Sequence, residues 1–303
     1  MRLSLWVAAT RPPFLSVTAV GVFLGLACAL HDQTFRSLPL AIITFFFAIL
    51  AQAGANVVND YYDAISGCDA VNDDRISPFT GGSRFIQNGL LSEKQTRRFG
   101  YALLGLVIPA GLWLINQSGG SLLWIGLAGL FSAWAYSATP FKLQSRGLGE
   151  LTIILAWLMV VIGSDYVQSQ SLSLTALYAG LAYAPLVANV LFVNQIPDRT
   201  ADASVGKHTL IVRYGTTFAP WGSLILYSIA YAVLLTGIAQ QQIPGWAALS
   251  LLSLIPASIS IKALLTDPSN LEKLTTAIPL TILSCLLFGL FLATSLIFGS
   301  QSI

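Results

Sequence analysis

Leu38-Pro-Leu-Ala-Ile-Ile-Thr-Phe-Phe-Phe-Ala-Ile-Leu-Ala-Gln-Ala-Gly-Ala-Asn56-Val-Val-Asn59-Asp60-Tyr-Tyr-Asp63 is the stretch on which the reading of this chain turns. Residues 38–58 are apolar enough to cross a hydrocarbon core, which takes about 20 such residues. The run then ends on amides and carboxylates. Positions i, i+4 and i+7 share a helix face, so Asn56, Asp60 and Asp63 point one way, and Asn59 and Asp63 form a second i, i+4 pair. An Asp at the bilayer centre costs about 2.5–3.5 kcal/mol on insertion scales, and less near the interface. Carboxylates at such a place are not there to stabilise the fold.

The arrangement recurs further along. Asn194-Gln-Ile-Pro-Asp198-Arg-Thr-Ala-Asp202 closes another apolar run with an i, i+4, i+8 row, and Asn56 to Asn194 and Asp60 to Asp198 are both 138 residues apart. Between and around them the chain is apolar throughout: 55% of its 303 residues are hydrophobic and only 9% charged. A soluble domain carries roughly 25% charged residues, so this chain cannot cover a water-facing surface. Nine spans are predicted, at 14–30, 38–58, 99–115, 121–138, 147–167, 174–196, 218–238, 246–265 and 274–298. The expected fold is all-α, a polytopic membrane protein forming one transmembrane domain over residues 1–303. The two acidic clusters lie four helices apart, which reads as two pseudo-repeated four-helix units plus a ninth helix, with a site between them.

Charge orients this array. With the N-terminus in the cytoplasm, 14 of the 15 basic residues fall inside: Arg2, Arg11, Arg75, Arg84, Lys94, Arg97, Arg98, Lys142, Arg146, Arg199, Lys207, Arg213, Lys262 and Lys273; only Arg36 falls outside. Cytoplasmic loops carry such an excess. Arg2 and Arg11 before residues 14–30 also look like the start of a signal peptide, but the segregation holds only if that segment stays as the first span. Asp32 and Asp165 fall outside, and the other acids collect inside, chiefly at 59–74 and 198–202. The long inside loops are 59–98, 139–147 and 197–217, so the polar chemistry belongs to the cytoplasmic face. A net charge of +2 without a basic run gives nucleic acid no footing. Cys28, Cys68 and Cys285 fit neither a zinc spacing nor a disulfide framework and read as isolated apolar thiols.

Carboxylates sharing a face stay ionised together only with a cation between them. Oxygen ligands without His or Cys select a hard cation, and Mg²⁺ takes one or two carboxylates and completes its shell with phosphate oxygens and water. Two such half-sites facing each other would grip a diphosphate. Arg75 and Arg84, Lys142 and Arg146, and Lys207, His208 and Arg213 follow in the loops, where a phosphate role competes with simple topology signals. Gly81-Gly82 could let backbone N–H groups approach an anion, but reads more readily as a plain turn. Trp124, Trp134, Trp157 and Phe45 to Phe47 read mostly as packing or interface anchors, with pocket lining that stabilises a cation by cation–π attraction open for a few of them.

At these clusters the chain resembles the UbiA-type intramembrane prenyltransferase superfamily. Asn59-Asp60-Tyr61-Tyr62-Asp63 is similar to the family's Asn-Asp-x-x-Asp, and Asp198-Arg-Thr-Ala-Asp202 to its Asp-x-x-x-Asp. Arg11-Pro12 and Tyr136-Ser137 leading to Pro140 also resemble family features. The resemblance implies nine helices around a central cavity open to lipid, and Mg²⁺-dependent transfer of a polyprenyl group from its diphosphate to an electron-rich aromatic acceptor. It implies Asn59, Asp60, Asp63, Asn194, Asp198 and Asp202 as metal ligands, with the four Asp catalytic, and the shared helix face adds Asn56 to the metal set. Arg11, Lys142, Lys207 and Arg213 are the implied diphosphate-binding residues, and Arg84 and Arg146 join them as candidates from their place in the loops. Many members carry a third Asp four residues after the first motif; here that position is Gly67 and the nearest acid is Asp69. This form, with Asn194-Gln-Ile-Pro-Asp198 and Gly206-Lys-His-Thr-Leu210, is similar to the menaquinone branch, whose acceptor is 1,4-dihydroxy-2-naphthoate. Thr80-Gly-Gly-Ser-Arg84 departs from that branch's pattern, which leaves 4-hydroxybenzoate, homogentisate, a tetrapyrrole or a lipid open as acceptor. The implied setting is a bacterial inner or plasma membrane.

Two other classes are weighed against these residues. A divalent-cation or phosphate transporter places its acids near the midplane on broken helices, whereas these lie at one face. A phosphatidyl-alcohol transferase carries one dense acidic motif, not two distant ones.

Overall fold

The computed structural model describes residues 3–299; Arg2, counted above among the cytoplasmic charges, lies outside the described residues. The helices are α1 (Leu3–Ala9), α2 (Pro12–His31), α3 (Leu38–Ser66), α4 (Glu93–Ser118), α5 (Ser121–Ala135), α6 (Gly149–Ser169), α7 (Leu174–Ser204), α8 (Leu210–Tyr214), α9 (Ala219–Ala239), α10 (Leu254–Thr266) and α11 (Leu271–Gly299). No strand occurs among the described residues.

Eight helical stretches are long and apolar enough to cross a membrane, one of them α10 together with the 3₁₀ turn Gly245–Ser253 that leads into it. The span expected at 121–138 is the exception. Helix α5 has 15 residues, about 22 Å at 1.5 Å per residue against a hydrocarbon core of about 30 Å. Pro140 follows, and Lys142 (φ 44) and Gly147 (φ 70) turn the chain into left-handed backbone, so no helix continues there.

Helices α3 and α7 err the other way. They hold 29 and 31 residues, about 44 and 46 Å, and each runs on past the end of its apolar stretch. Hydropathy stops at the interface, but a helix stops only where its last carbonyls find other partners. For α3 that place is Gly67, left-handed at φ 82, whose N–H bonds the Ala64 carbonyl. Pro197 removes one ladder bond from α7 without ending it. Side-chain caps fix other starts: Ser37 on Leu40 N, Ser173 on Ala176 N, and a reciprocal Ser92–Gln95 box on α4.

Helix α7 is the hub, packed against α2, α6, α9 and α11 and buried over most of its length. Tyr183 on α7 is fully buried and donates its hydroxyl to the Val17 carbonyl of α2 at 2.9 Å. Helix α2 presses on α6 at Gly25, where a Cβ would stand 2.3 Å from the Val161 carbonyl oxygen; only a residue without one lets backbones approach that closely. Helices α3 and α4 turn much of their surface outward, with Phe45, Phe46 and Leu106 exposed. At the other end Arg36, the one basic residue that the charge count places outside, donates to the carbonyls of Gln117 and Val167 at 3.1 Å each. It ties the α2–α3 loop to α4 and α6.

Candidate active site

The parts of α3 and α7 that run past their apolar stretches face each other, and the two carboxylate rows meet. Lys207, three residues beyond α7, sets its ammonium between them, 2.7 Å from Asp63 Oδ1 and 3.3 Å from Asp202 Oδ1. The lysine is buried, which works against its charge, but the two carboxylates outweigh that and hold its pKa well above the ordinary value. Its loop is pinned by Lys207 N–H on the Asp202 carbonyl and His208 N–H on the Ser145 carbonyl, both 2.9 Å. On the α3 side, Asn59 Nδ2 donates to Asp63 Oδ2 at 3.1 Å and to Ser137 Oγ at 3.0 Å. Asn56 Nδ2 donates to the Thr10 carbonyl at 2.9 Å and its Oδ1 accepts from Gln52.

The loop after Gly67 closes the site. Asn72 Nδ2 donates to Asp198 Oδ1 at 2.6 Å and Gly81 N–H to Asp198 Oδ2 at 3.4 Å. Gly81-Gly82 is the turn the sequence favoured, and it is held against a carboxylate. Ser83 N–H donates to Asp60 Oδ2 at 3.1 Å. A Cβ on Gly82 would meet Asp69 Oδ2 at 2.8 Å and Asp60 Oδ1 at 3.1 Å, so Asp69 and Asp60 converge on one glycine. Burial, with Asp63 and Asp60 nearby, pushes the Asp69 carboxyl up to about 8. Cys68 donates its thiol to Asp202 Oδ1 at 3.1 Å, and burial raises its pKa. Of the three thiols, Cys28 and Cys285 are buried in the apolar core as expected; Cys68 belongs to the site.

Together these groups line a cavity of about 200 Å³ reached by Arg11, Asn56, Asn59, Asp63, Asn194, Asp198, Asp202 and Lys207. Asp60 stands just behind the wall. Arg11 donates to the Phe79 carbonyl at 2.8 Å and covers the Phe14 ring at 4.6 Å. The other basic candidates do not reach the cavity. Arg146 bonds the Pro140 carbonyl and Arg213 the carbonyls of Arg146 and His208. Arg84 bonds the Asp69 carbonyl, and Lys142 is exposed. A second, more apolar cavity of about 220 Å³ adjoins the first and shares Gln52, Ala133, Ala156 and Trp157 with it. Trp157, one of the aromatics for which the sequence left packing and pocket lining both open, lines both cavities.

The donor set is oxygen throughout, and Asp60 Oδ1 and Asn194 Oδ1 are buried without any hydrogen-bond partner. Among the described residues no three His, Cys, Asp or Glu side chains already converge to hold a metal. Such a set suits a hard cation that shares its shell with phosphate oxygens, not one enclosed by protein alone.

A bundle of membrane-spanning helices with paired acidic rows at one end of an apolar pocket defines a class of intramembrane enzyme that handles an anionic head and a greasy tail. The chain belongs to the UbiA prenyltransferase family, whose profile matches residues 14–283. It is a prenyltransferase and an integral, multi-pass membrane protein. The 1,4-dihydroxy-2-naphthoate octaprenyltransferase of Mycobacterium tuberculosis is 28% identical over 302 residues, 98% of each chain. That of Escherichia coli is 28% identical over 255 residues, 81% of this chain and 80% of its own. A UbiA homologue from Archaeoglobus fulgidus, solved bound to DMAPP and Mg²⁺, shares the fold with a TM-score of 0.62 at 16% identity, over 97% of this chain and 99% of its own.

Proposed function

We propose that the chain transfers a polyprenyl group from polyprenyl diphosphate to 1,4-dihydroxy-2-naphthoate, a step of menaquinone biosynthesis, at the cytoplasmic face of a bacterial inner membrane. The observation that carries this reading is the meeting of the α3 and α7 carboxylates around Lys207 at the head of an apolar cavity. The naphthoate octaprenyltransferases among its relatives support the acceptor, and the Mg²⁺ and DMAPP in the A. fulgidus homologue support the cation and the donor. In this reading all 303 residues form one domain, α5 completes its crossing with the turns at its ends, and the nine spans form two four-helix units and a ninth helix.

Asp60, Asp63, Asp198 and Asp202, with Asn56, Asn59 and Asn194, are assigned to hold Mg²⁺, directly or through water. Bound there, Mg²⁺ supplies positive charge to the departing diphosphate. Lys207 and Arg11 stand on the cavity wall to take up further negative charge as the allylic C–O bond breaks and its electron pair passes to the diphosphate. Arg84, Arg146 and Arg213 act by bracing the loops that carry Lys207 and Asp69, and Lys142, outside the cavity, adds only to the positive charge of this face. The apolar second cavity takes the prenyl tail, and its dryness protects the allylic cation from water. The electron-rich ring attacks that cation; a C–C bond forms, and the ring regains aromaticity by losing a proton or, from a carboxylated carbon, CO₂.

Purified enzyme given labelled polyprenyl diphosphate, Mg²⁺ and a panel of acceptors tests this. Prenylated naphthoate is expected, and Asp198→Ala or Asp60→Ala should lower turnover at least about 1,000-fold while the protein still inserts. Normal turnover in either variant would sink the metal assignment, and prenylation of a different acceptor alone would move the substrate.

A further inference from the structure

Glu150 and Gln195 stand outside every role assigned so far. Glu150 lies in the first turn of α6 and Gln195 follows Asn194 on α7; both are buried, and Gln195 Nε2 donates to Glu150 Oε1 at 2.7 Å. That bond sets which way the amide faces, nitrogen to Glu150 and oxygen away from it. Gln195 Oε1 is left buried with no donor, on a residue that lines the same cavity as Asn194 and Asp198. A buried carbonyl oxygen without a partner keeps the cost of its lost hydration. Gln195 is a residue of the cavity wall, so a ligand that brings an O–H or N–H group to it would meet that need. The oxygen can only accept, so it does not suit a diphosphate. Ile153, Val190 and Leu191 line the same cavity and offer apolar surface to a flat ring.

We propose that Gln195 accepts a hydrogen bond from a phenolic hydroxyl of the aromatic acceptor and selects acceptors that carry one, with Glu150 as the positioning residue that fixes the amide. The proposal rests on the prenyl-acceptor reading above. Drawing the hydroxyl proton toward the amide oxygen leaves more electron density on the ring, so the contact that selects the acceptor also favours its attack on the allylic cation. A site with a buried acceptor aimed at a substrate hydroxyl rejects the analogue that lacks it, because the group is left unpaired.

The test compares 1,4-dihydroxy-2-naphthoate with its two mono-O-methyl ethers, by turnover and by calorimetric binding, in wild type, Gln195→Met and Glu150→Gln. Methionine keeps the length of the side chain but offers no oxygen. Wild type should favour the free phenol over one of the ethers by about 10-fold or more in kcat/KM. Gln195→Met should bring that ratio near one, while KM for the prenyl diphosphate stays within about two-fold of wild type. Glu150→Gln should reduce the ratio part way, since a neutral amide partner lets Gln195 turn over. Retained binding of a non-hydrolysable prenyl thiodiphosphate shows that each variant is folded. An unchanged ratio in Gln195→Met, or a loss that falls equally on phenol and ethers, overturns the inference. Wild type that binds the phenol selectively but does not prenylate it overturns only the proposed function, and wild type that binds neither compound overturns both.

Discussion

At the scale of single residues, Lys207 occupies the point where two rows of like charge would otherwise repel. Removing one partner of a buried ion pair is costly because the other charge stays behind; here two carboxylates stay behind. Lys207→Met should therefore destabilise the metal-free protein by about 3 kcal/mol, seen as a lowered unfolding temperature in EDTA. Mg²⁺ should raise that temperature more in the variant than in wild type, where the lysine already neutralises the acids. Equal responses to Mg²⁺ would show that lysine and metal do not share the carboxylates. Asp69 gives a prediction in pH. Its carboxyl is held up to about 8 in the fold, whereas an unfolded Asp releases its proton near 3.9. Between those values the unfolded state binds fewer protons, so the metal-free protein loses stability as pH rises and levels off above about 8. Asp69→Asn should flatten that decline in thermal scans from pH 5 to pH 8; an unaltered slope would place the titration elsewhere. The motif acids were legible from their i, i+4 spacing. Asp69 was legible only as the acid nearest the family's third position, and Cys68 and Asn72 were not legible as site residues, because they reach Asp202 and Asp198 only after the chain has turned at Gly67, and nothing in the sequence gives the direction of that turn.

At the scale of elements, the helices follow the apolar runs, and the differences lie where hydropathy stops being informative. The ends of α3 and α7 hold the proposed metal ligands because both helices run on past their apolar stretches. Their polar residues are invisible to a transmembrane criterion but keep the same face as the residues before them. The short α5 errs the other way, since its apolar run was read through a turn that Pro140 and the left-handed Lys142 impose. Gly67 is where α3 becomes a loop. A Cβ there would touch nothing within 4 Å, so the cost of Gly67→Ala is backbone strain alone, about 1–2 kcal/mol for a left-handed non-glycine. The variant should lose little stability but roughly 10- to 100-fold in turnover, because a small displacement of positioned groups is costly in rate. Activity and Mg²⁺ affinity close to wild type would show that the loop finds its place without the glycine.

At the scale of the whole molecule, charge and geometry agree on one chemical face. The acids that the count places outside have structural partners: Asp32 accepts from Ser173 Oγ at 2.6 Å and Thr175 Oγ1 at 2.8 Å, and Asp165 from Ser169 Oγ at 3.3 Å. The proposed orientation can be read directly, since the three native cysteines are buried and give little background. Asp73→Cys, on the exposed loop after α3, should label with a membrane-impermeant maleimide only from the cytoplasmic side. Ser171→Cys, on the α6–α7 turn, should label only from the other side. The reverse pattern would invert the topology.

What the sequence by itself determined is the membrane, the helical class, the charge asymmetry and the two acidic rows. Each of these depends on residue type and on spacing within one helix, which local geometry converts into a face. Only the tertiary structure decided that the rows meet across Lys207, that the loop after Gly67 returns Asp69 and Cys68 to them, and that Gln195, on the cavity wall, keeps a buried oxygen without a donor. Those are contacts between residues distant in the chain, set by how helices pack and loops turn, and no local pattern encodes them.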